Sequence, residues 1–218
     1  MTDRPIIFSG PMIAALLSGR KSQTRRVLRS QPSAEAVALE DGAWRASDED
    51  ADLDYPLPVL YAPGDRLWVR EAHAILPRTA YRTSVGTGTI DQREHPTDGY
   101  SATVFREGFD RSGPPRWRPS IHMPRWASRL TLHVTDVRVQ RLQEISETDA
   151  RAEGVDPLTW PSHENAAITN VSYRKPFRDL WNNLHGDGAW ADNPWVVALT
   201  FTVERANIDA FRAAEGAA

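Results

Sequence analysis

The sequence predicts an α+β fold: a small, mostly antiparallel β-barrel decorated by short helices and carrying polar insertions. Three observations predict it. Apolar alternation along "LTLHVTDVRVQRL" (Leu130–Leu142) and the apolar run in "NPWVVALTFTVER" (Asn193–Arg205) read as long strands. Helical spacing occurs only in short, single blocks. Strands and helices do not alternate regularly, and no internal repeat is present. A length of 218 residues suits one domain with insertions or two small ones. The pattern reads as a single domain over 1–218 with insertions at about 30–60, 76–99 and 156–172.

The elements follow in order. "PIIFS" (Pro5–Ser9) reads as a short strand. Ser9 then suits a helix N-cap, Pro11 its first turn, and Gly19 a left-handed C-terminal position. Met12, Ile13, Leu16 and Leu17 recur at helical spacing and form the buried face. "KSQTRRVL" leads out of the helix as extended chain. Residues 30–60 are acidic, small and poorly periodic, an excursion rather than a folded element. "APGD" (Ala62–Asp65) signals a turn, and "RLWVREAH" (Arg66–His73) alternates as a strand with Leu67 and Val69 on one face. Residues 76–99 form a polar, Gly-rich insert, in which the "GTG" of Gly86–Gly88 lacks the strand a dinucleotide fingerprint needs. "PPRWRPSIHMPRWASR" (Pro114–Arg129) is a proline-punctuated loop dense in Trp and Arg. Within the long strand the apolar phase slips near Asp136, which suggests a bulge. "SETDARAEG" is a short helix capped by Ser146, with Asp149 three residues on and Gly154 at its end. "YRKPFRDLWNNLHG" (Tyr173–Gly186) is another, with Phe177, Leu180, Trp181 and Leu184 on one side. The tail "AAEGAA" is expected to fray.

Composition narrows the chemistry. The net charge of −3 argues against polyanion binding by bulk electrostatics, so any phosphate contact needs a local patch. With no cysteine, disulfides, thiolate catalysis and cysteine zinc sites are excluded. The six histidines, at 73, 95, 122, 133, 163 and 185, form no close-spaced ligand pair. The apolar run before Gly19 is broken by Ser9, Gly10 and Pro11, and its basic cluster follows rather than precedes it. It therefore reads as core and not as a leader, and a cytoplasmic protein with no membrane association is expected. Most of the eight tryptophans are expected to pack in the core or at its edges.

The segment "LLSGRKSQTRRVL" (Leu16–Leu28) packs Arg20, Lys21, Arg25 and Arg26 directly behind an apolar helix. Together with "GDRLWVRE", "WRPSIHMPRWASR", "ISETDARAEGV" and "NPWVVALTF", it resembles the ASCH domain family, a branch of the PUA-like superfamily. The likeness is closest to the longer versions often encoded by bacteriophages, and it covers about residues 5–28, 62–73, 114–155 and 173–203. The chain departs in carrying Ser22 where threonine is more usual, and in its inserts.

The resemblance implies a small barrel with a cleft at one side and one of two activities. The first is metal- and cofactor-independent hydrolysis of the amide in N(4)-acetylcytidine and related acylated cytosines. For it, the motif carries over Lys21 as base, Thr24 as nucleophile and Glu153 as acid. The second is RNA binding, sometimes with ribonuclease activity, in which the arginines hold phosphates and tryptophans stack bases. A nucleoside is the expected partner, with weak RNA binding beside it.

The chemistry is consistent with the first activity. Amide hydrolysis needs an activated nucleophile, an oxyanion stabiliser and an acid for the leaving nitrogen. Lysine serves as a base if its pKa falls, and both burial and neighbouring cations disfavour the ammonium form. Without the resemblance, the cluster reads as a solvated basic edge. Glu153 ends a short helix, where the negative end of the dipole disfavours a carboxylate; an exposed helix-end glutamate is the commoner situation. Lys21 and Thr24 lie in a polar segment outside the apolar helix face, so replacing them is expected to disturb stability little. A flat, polar cytosine needs a stacking surface and hydrogen-bonding groups. Candidates are Arg20, Arg26, Trp68, Arg70, Glu71, Ser120, His122 and Arg125. Arg70 with Glu71 reads equally as a structural ion pair, His122 as a structural histidine, and Trp117 and Trp126 as anchors of the proline-rich loop.

Overall fold

The computed structural model describes residues 1–33, 36–48, 53–86, 88–161 and 169–210. It is a mixed α+β structure, mostly strands in several sheets with few helices. In chain order the elements are β1 (Asp3–Ile7), α1 (Gly10–Leu17), β2 (Gln23–Val27), β3 (Ala36–Glu40), β4 (Ala43–Asp48), β5 (Leu53–Pro56), β6 (Arg66–Arg70), β7 (His73–Pro77), β8 (Gln92–Glu94), β9 (Ser101–Phe105), β10 (Thr131–Arg141), α2 (Glu147–Ala152), β11 (Leu158–Pro161), β12 (Thr169–Ser172), α3 (Arg174–His185) and β13 (Trp195–Glu204). Among the described residues no closed barrel is found. The chain divides into two compact units. Unit 1 holds the described residues of 1–19, 64–134 and from 202 on; unit 2 holds those of 20–63 and 135–201.

In unit 1, β6 pairs in parallel with β1 (Ile6 opposite Val69) and antiparallel with the first residues of β10 (Leu132 opposite Leu67). Leu67 and Val69 are buried, as their alternation predicts. Helix α1 starts after Ser9, whose backbone is extended but whose side chain makes no capping bond. Gly19 then takes φ 73°, turning the chain away from the helix. Ile13 and Leu16 are buried, while Met12 and Leu17 are half-buried. A second sheet has the order β7-β9-β8, so part of the 76–99 insert is ordered by pairing onto β9. Phe105, Met123 and Ala127 form a small core against which Trp126 packs. The buried Asn207 amide donates to the carbonyl oxygens of Arg125 (2.8 Å), Trp126 (3.2 Å) and Ser128 (2.9 Å), and so fastens the proline-rich loop.

In unit 2, β13 lies between β10 and β2, with Thr24 opposite Leu199. Burial along β10 changes phase between Val134 and Val137, where the chain passes from one unit to the other. Helix α2 is capped as the sequence predicts: Ser146 Oγ accepts from the Asp149 amide at 3.0 Å. Helix α3 buries Phe177 and Trp181 against Leu142, Ile145, Ala150 and Val196. Its apolar stripe is narrower than expected, since Leu180 is half-buried and Leu184 is 49% exposed.

Residues 30–60 depart from the expected irregular excursion. They contain a three-stranded sheet, β3-β4-β5. Asp41 (φ 48°) and Gly42 (φ 78°) form a two-residue hairpin turn between Glu40 and Ala43. Positive φ at both central residues matches the twist of the flanking strands, and Asp-Gly tolerates it. Around 156–172, β11 pairs antiparallel with β12, and Leu158, Trp160 and Val171 remain partly exposed. The frayed tail expected over 213–218 lies outside the described residues.

Candidate functional site

Three features bring Lys21 to the end of α2. Gly19 redirects the chain after α1. The Ser22 amide then donates to Ala152 O at 2.9 Å, and Ser22 O accepts from the Phe201 amide at 2.9 Å. This anchors the residues before β2 between α2 and β13. Lys21 Nζ donates to the Glu153 carbonyl at 2.8 Å and to Glu153 Oε2 at 2.7 Å. The first bond satisfies a carbonyl at the helix C-terminus, where a cation is favoured. Lys21 is 1% exposed and Glu153 5%. The reading of a solvated edge, and with it the expectation that Lys21 can be replaced at little cost, is therefore overturned. Its ammonium is a buried charge with a buried partner.

Arg25 completes the carboxylate's surroundings. Its Nη1 reaches Glu153 Oε1 at 3.1 Å and Gln23 Oε1 at 2.6 Å, and its Nη2 reaches Asp149 Oδ2 at 3.1 Å. Asp149 also accepts from Gln23 Nε2 (3.2 Å) and Arg138 Nη2 (3.1 Å). Each Glu153 oxygen thus accepts from a cation, which the helix-end argument did not include. Gln23 and Arg25 meet on one face of β2, so Thr24 between them points to the other. Thr24 is buried there.

Burial pushes the Lys21 amine below its ordinary value. Glu153 pulls it back, and the charges of Arg26 and Arg25 add to the lowering. Desolvation therefore outweighs the cation crowding that the sequence made conspicuous. Arg20 is exposed, and its Nη1 reaches Asp156 at 2.6 Å and Gly154 O at 3.2 Å. Arg26 Nη1 donates to Arg25 O at 3.3 Å. Arg26 also lines a cleft of about 410 Å³ with Leu60, Tyr61 and Val197.

The remaining predicted residues lie in unit 1. Trp68 is half-buried, with the Arg70 guanidinium 5.3 Å from its ring centre. Arg70 Nη2 donates to Ile121 O. Glu71 pairs with Arg129 through two bonds of 2.9 and 2.8 Å, so its ion pair is not with Arg70. Burial raises the Glu71 carboxyl above its ordinary value against the pull of Arg129. Arg125 binds Asp3 at 2.5 Å and Asp209 at 2.7 Å, a structural engagement that occupies the guanidinium. Ser120 and His122 open and close a single 3-10 turn; Ser120 is half-buried and His122 exposed. Trp117 packs edge-on against Phe109, and Trp126 against His95.

The structure brings Lys21 and Glu153 into contact, with the charge of Arg26 acting on both. Sequence reasoning missed four members of the network: Gln23, Arg25 as a carboxylate partner, Asp149 beyond its place in the cap, and Arg138. Alternation in "QTR" was the available signal for the first two. Among the described residues no group of three His, Asp or Glu side chains is placed to hold a metal ion, and no helix is long and apolar enough to cross a membrane. Comparison of the chain with family models, with curated proteins and with solved structures found no match.

Proposed function

We propose that the protein is a metal-independent amidohydrolase that removes the acyl group from the exocyclic amine of an acylated cytidine or cytosine. One observation carries this reading. Lys21 and Glu153, 132 residues apart, meet as a buried pair at 2.7 Å, and both are residues to which the ASCH resemblance gives catalytic roles. The small barrel that the resemblance implies belongs to this proposal as well.

The pair offers an acid and a base together. In the reacting form the proton of the pair lies on Glu153 Oε2 and Lys21 is a free amine. Thr24 Oγ attacks the acyl carbon and its proton passes to Lys21 Nζ. The C–N bond breaks as Glu153 protonates the departing exocyclic nitrogen, releasing cytidine. Water, deprotonated at the same pair, then cleaves the acyl-threonine to a carboxylate and restores the hydroxyl. Thr24 enters through the resemblance alone, since its side chain lies on the face of β2 opposite Gln23 and the Arg25 that holds Glu153. The test is incubation of the purified protein with N(4)-acetylcytidine, followed by chromatography for cytidine and acetate. Equimolar release of both is expected; no release above the uncatalysed rate overturns the reading.

A further inference from the structure

The cleft of about 410 Å³ in unit 2 has mostly apolar walls, and its volume lies within the range of small-ligand sites, about 300–1,000 Å³. Its base belongs to the pairing of β2 with β13. Arg26 stands opposite Val197 in that register, so their side chains share one face of the sheet, and the buried Leu28 lines the cleft with them. Val27 and Leu60 line it as well and are 42% and 62% exposed. Large apolar side chains left open at a concave surface gain by being covered.

Both walls are fastened by hydrogen bonds. The Leu28 N–H donates to Trp195 O at 3.0 Å. The Gln31 side-chain amide donates to Leu28 O at 2.8 Å and to Trp195 O at 3.0 Å, and its Oε1 accepts from the Trp195 N–H at 2.8 Å. On the other wall the Leu57 N–H, next to the lining Pro58, donates to Trp44 O at 2.7 Å. A pre-formed cleft spares a ligand the cost of ordering it.

The charge of the cleft has one sign. Arg26 and Arg29 both line it and, among the described residues, no carboxylate does. Arg29 is exposed and has no carboxylate partner among the described residues. Arg26 is half-buried, and burial pushes its guanidinium below the ordinary value against the pull of Glu153 and Tyr61. A guanidinium partly stripped of water beside an apolar wall gains from an anion, and its planar fork matches a carboxylate through two bonds.

We propose that this cleft binds a carboxylic acid with a medium-length alkyl body, the carboxylate on Arg26 and Arg29 and the chain along Leu28, Leu60 and Val197. Inorganic phosphate or a sugar phosphate leaves the apolar walls uncovered. A neutral or cationic chain leaves the guanidinium groups without a counter-charge. Nothing in the proposal uses the roles given to Lys21, Thr24 and Glu153, so either reading can fail alone.

Isothermal titration of the full chain with hexanoate, octanoate and decanoate, each below the concentration at which it aggregates, tests it. Each added methylene is expected to tighten binding about two- to fourfold. Decanoate is expected to bind at least tenfold tighter than decylamine, which has the same chain and the opposite charge. Leu60→Asp and Arg29→Ala alter exposed side chains, and each should weaken decanoate at least fivefold with the denaturant midpoint unchanged. Acid and amine binding alike, affinity independent of chain length, or indifference to either variant overturns the proposal. So does binding to phosphatidylglycerol vesicles without binding of free decanoate, which makes the surface a membrane contact.

Discussion

Lys21 concentrates the chemistry at the scale of a single residue, and two predictions belong to it. In the proposed mechanism the working form holds one proton on the Lys21–Glu153 pair, carried by Glu153 beside the free amine. Rate therefore falls as pH rises through the titration that removes this last proton, and burial places that fall below the ordinary lysine value of 10.5. A kcat/KM profile whose basic limb falls before pH 10.5 is expected, and a flat profile through this range counts against the pair as acid and base. Lys21→Arg keeps the charge but removes the base, so hydrolysis should vanish. Stability separates lost chemistry from lost folding. Lys21→Ala breaks a buried pair and should cost about 3 kcal/mol in denaturant unfolding, whereas Lys21→Met keeps the stem and should cost less. Thr24→Ser should retain activity and Thr24→Ala should abolish it. An active Thr24→Ala protein removes the nucleophile from the scheme.

At the scale of the element, α2 is where cap and site coincide. Ser146→Ala removes the capping bond and should destabilise the protein by about 1 kcal/mol, read from the denaturant midpoint. Asp149 gives the acid dependence. Burial pushes its carboxyl up, but Arg138, Gln23 and Arg25 more than offset this, and its folded value is lowered from 3.8. A lowered folded value means that the unfolded chain binds the proton more readily. The stabilisation is therefore present above about pH 3.8 and lost as pH falls through the lowered folded value. Asp149→Asn should cost roughly 1.5–3 kcal/mol at neutral pH and flatten the acid limb of the stability curve. An unchanged acid limb means that the network contributes nothing there. Much of this element was legible in "SETDARAEG", because a cap is a contact over three residues. The β3-β4 hairpin was missed: Asp41-Gly42 between Leu39 and Trp44 is a hairpin signal, but the acidic composition around it obscured the short alternation. The narrower stripe of α3 was not legible. Periodicity places Leu184 on the apolar face, and only the extent of the packed surface decides whether that end of the face is covered.

At the scale of the whole molecule, salt separates the nucleoside hydrolase from the RNA binder. A neutral nucleoside releases no counterions, so kcat/KM for N(4)-acetylcytidine should change little between 50 and about 200 mM salt, apart from modest screening near Lys21. RNA affinity should be weak and fall with a log–log slope of about −0.7 per phosphate contact. Tight, sequence-selective RNA binding at physiological salt without acylcytidine cleavage would make the RNA binder the better account. The sequence by itself determined the α+β class, the strand at Leu67 and Val69, the phase slip in β10, the Ser146 cap and the turn at Gly19. Each depends on residues a few positions apart, whose spacing dictates backbone conformation and face. Only the tertiary structure decided that Lys21 is buried against Glu153, that Glu71 is held by Arg129 and that Arg125 is held by two aspartates. Charge and hydrogen-bond partners chosen across long stretches of chain follow from which elements pack together, and no local pattern encodes that choice.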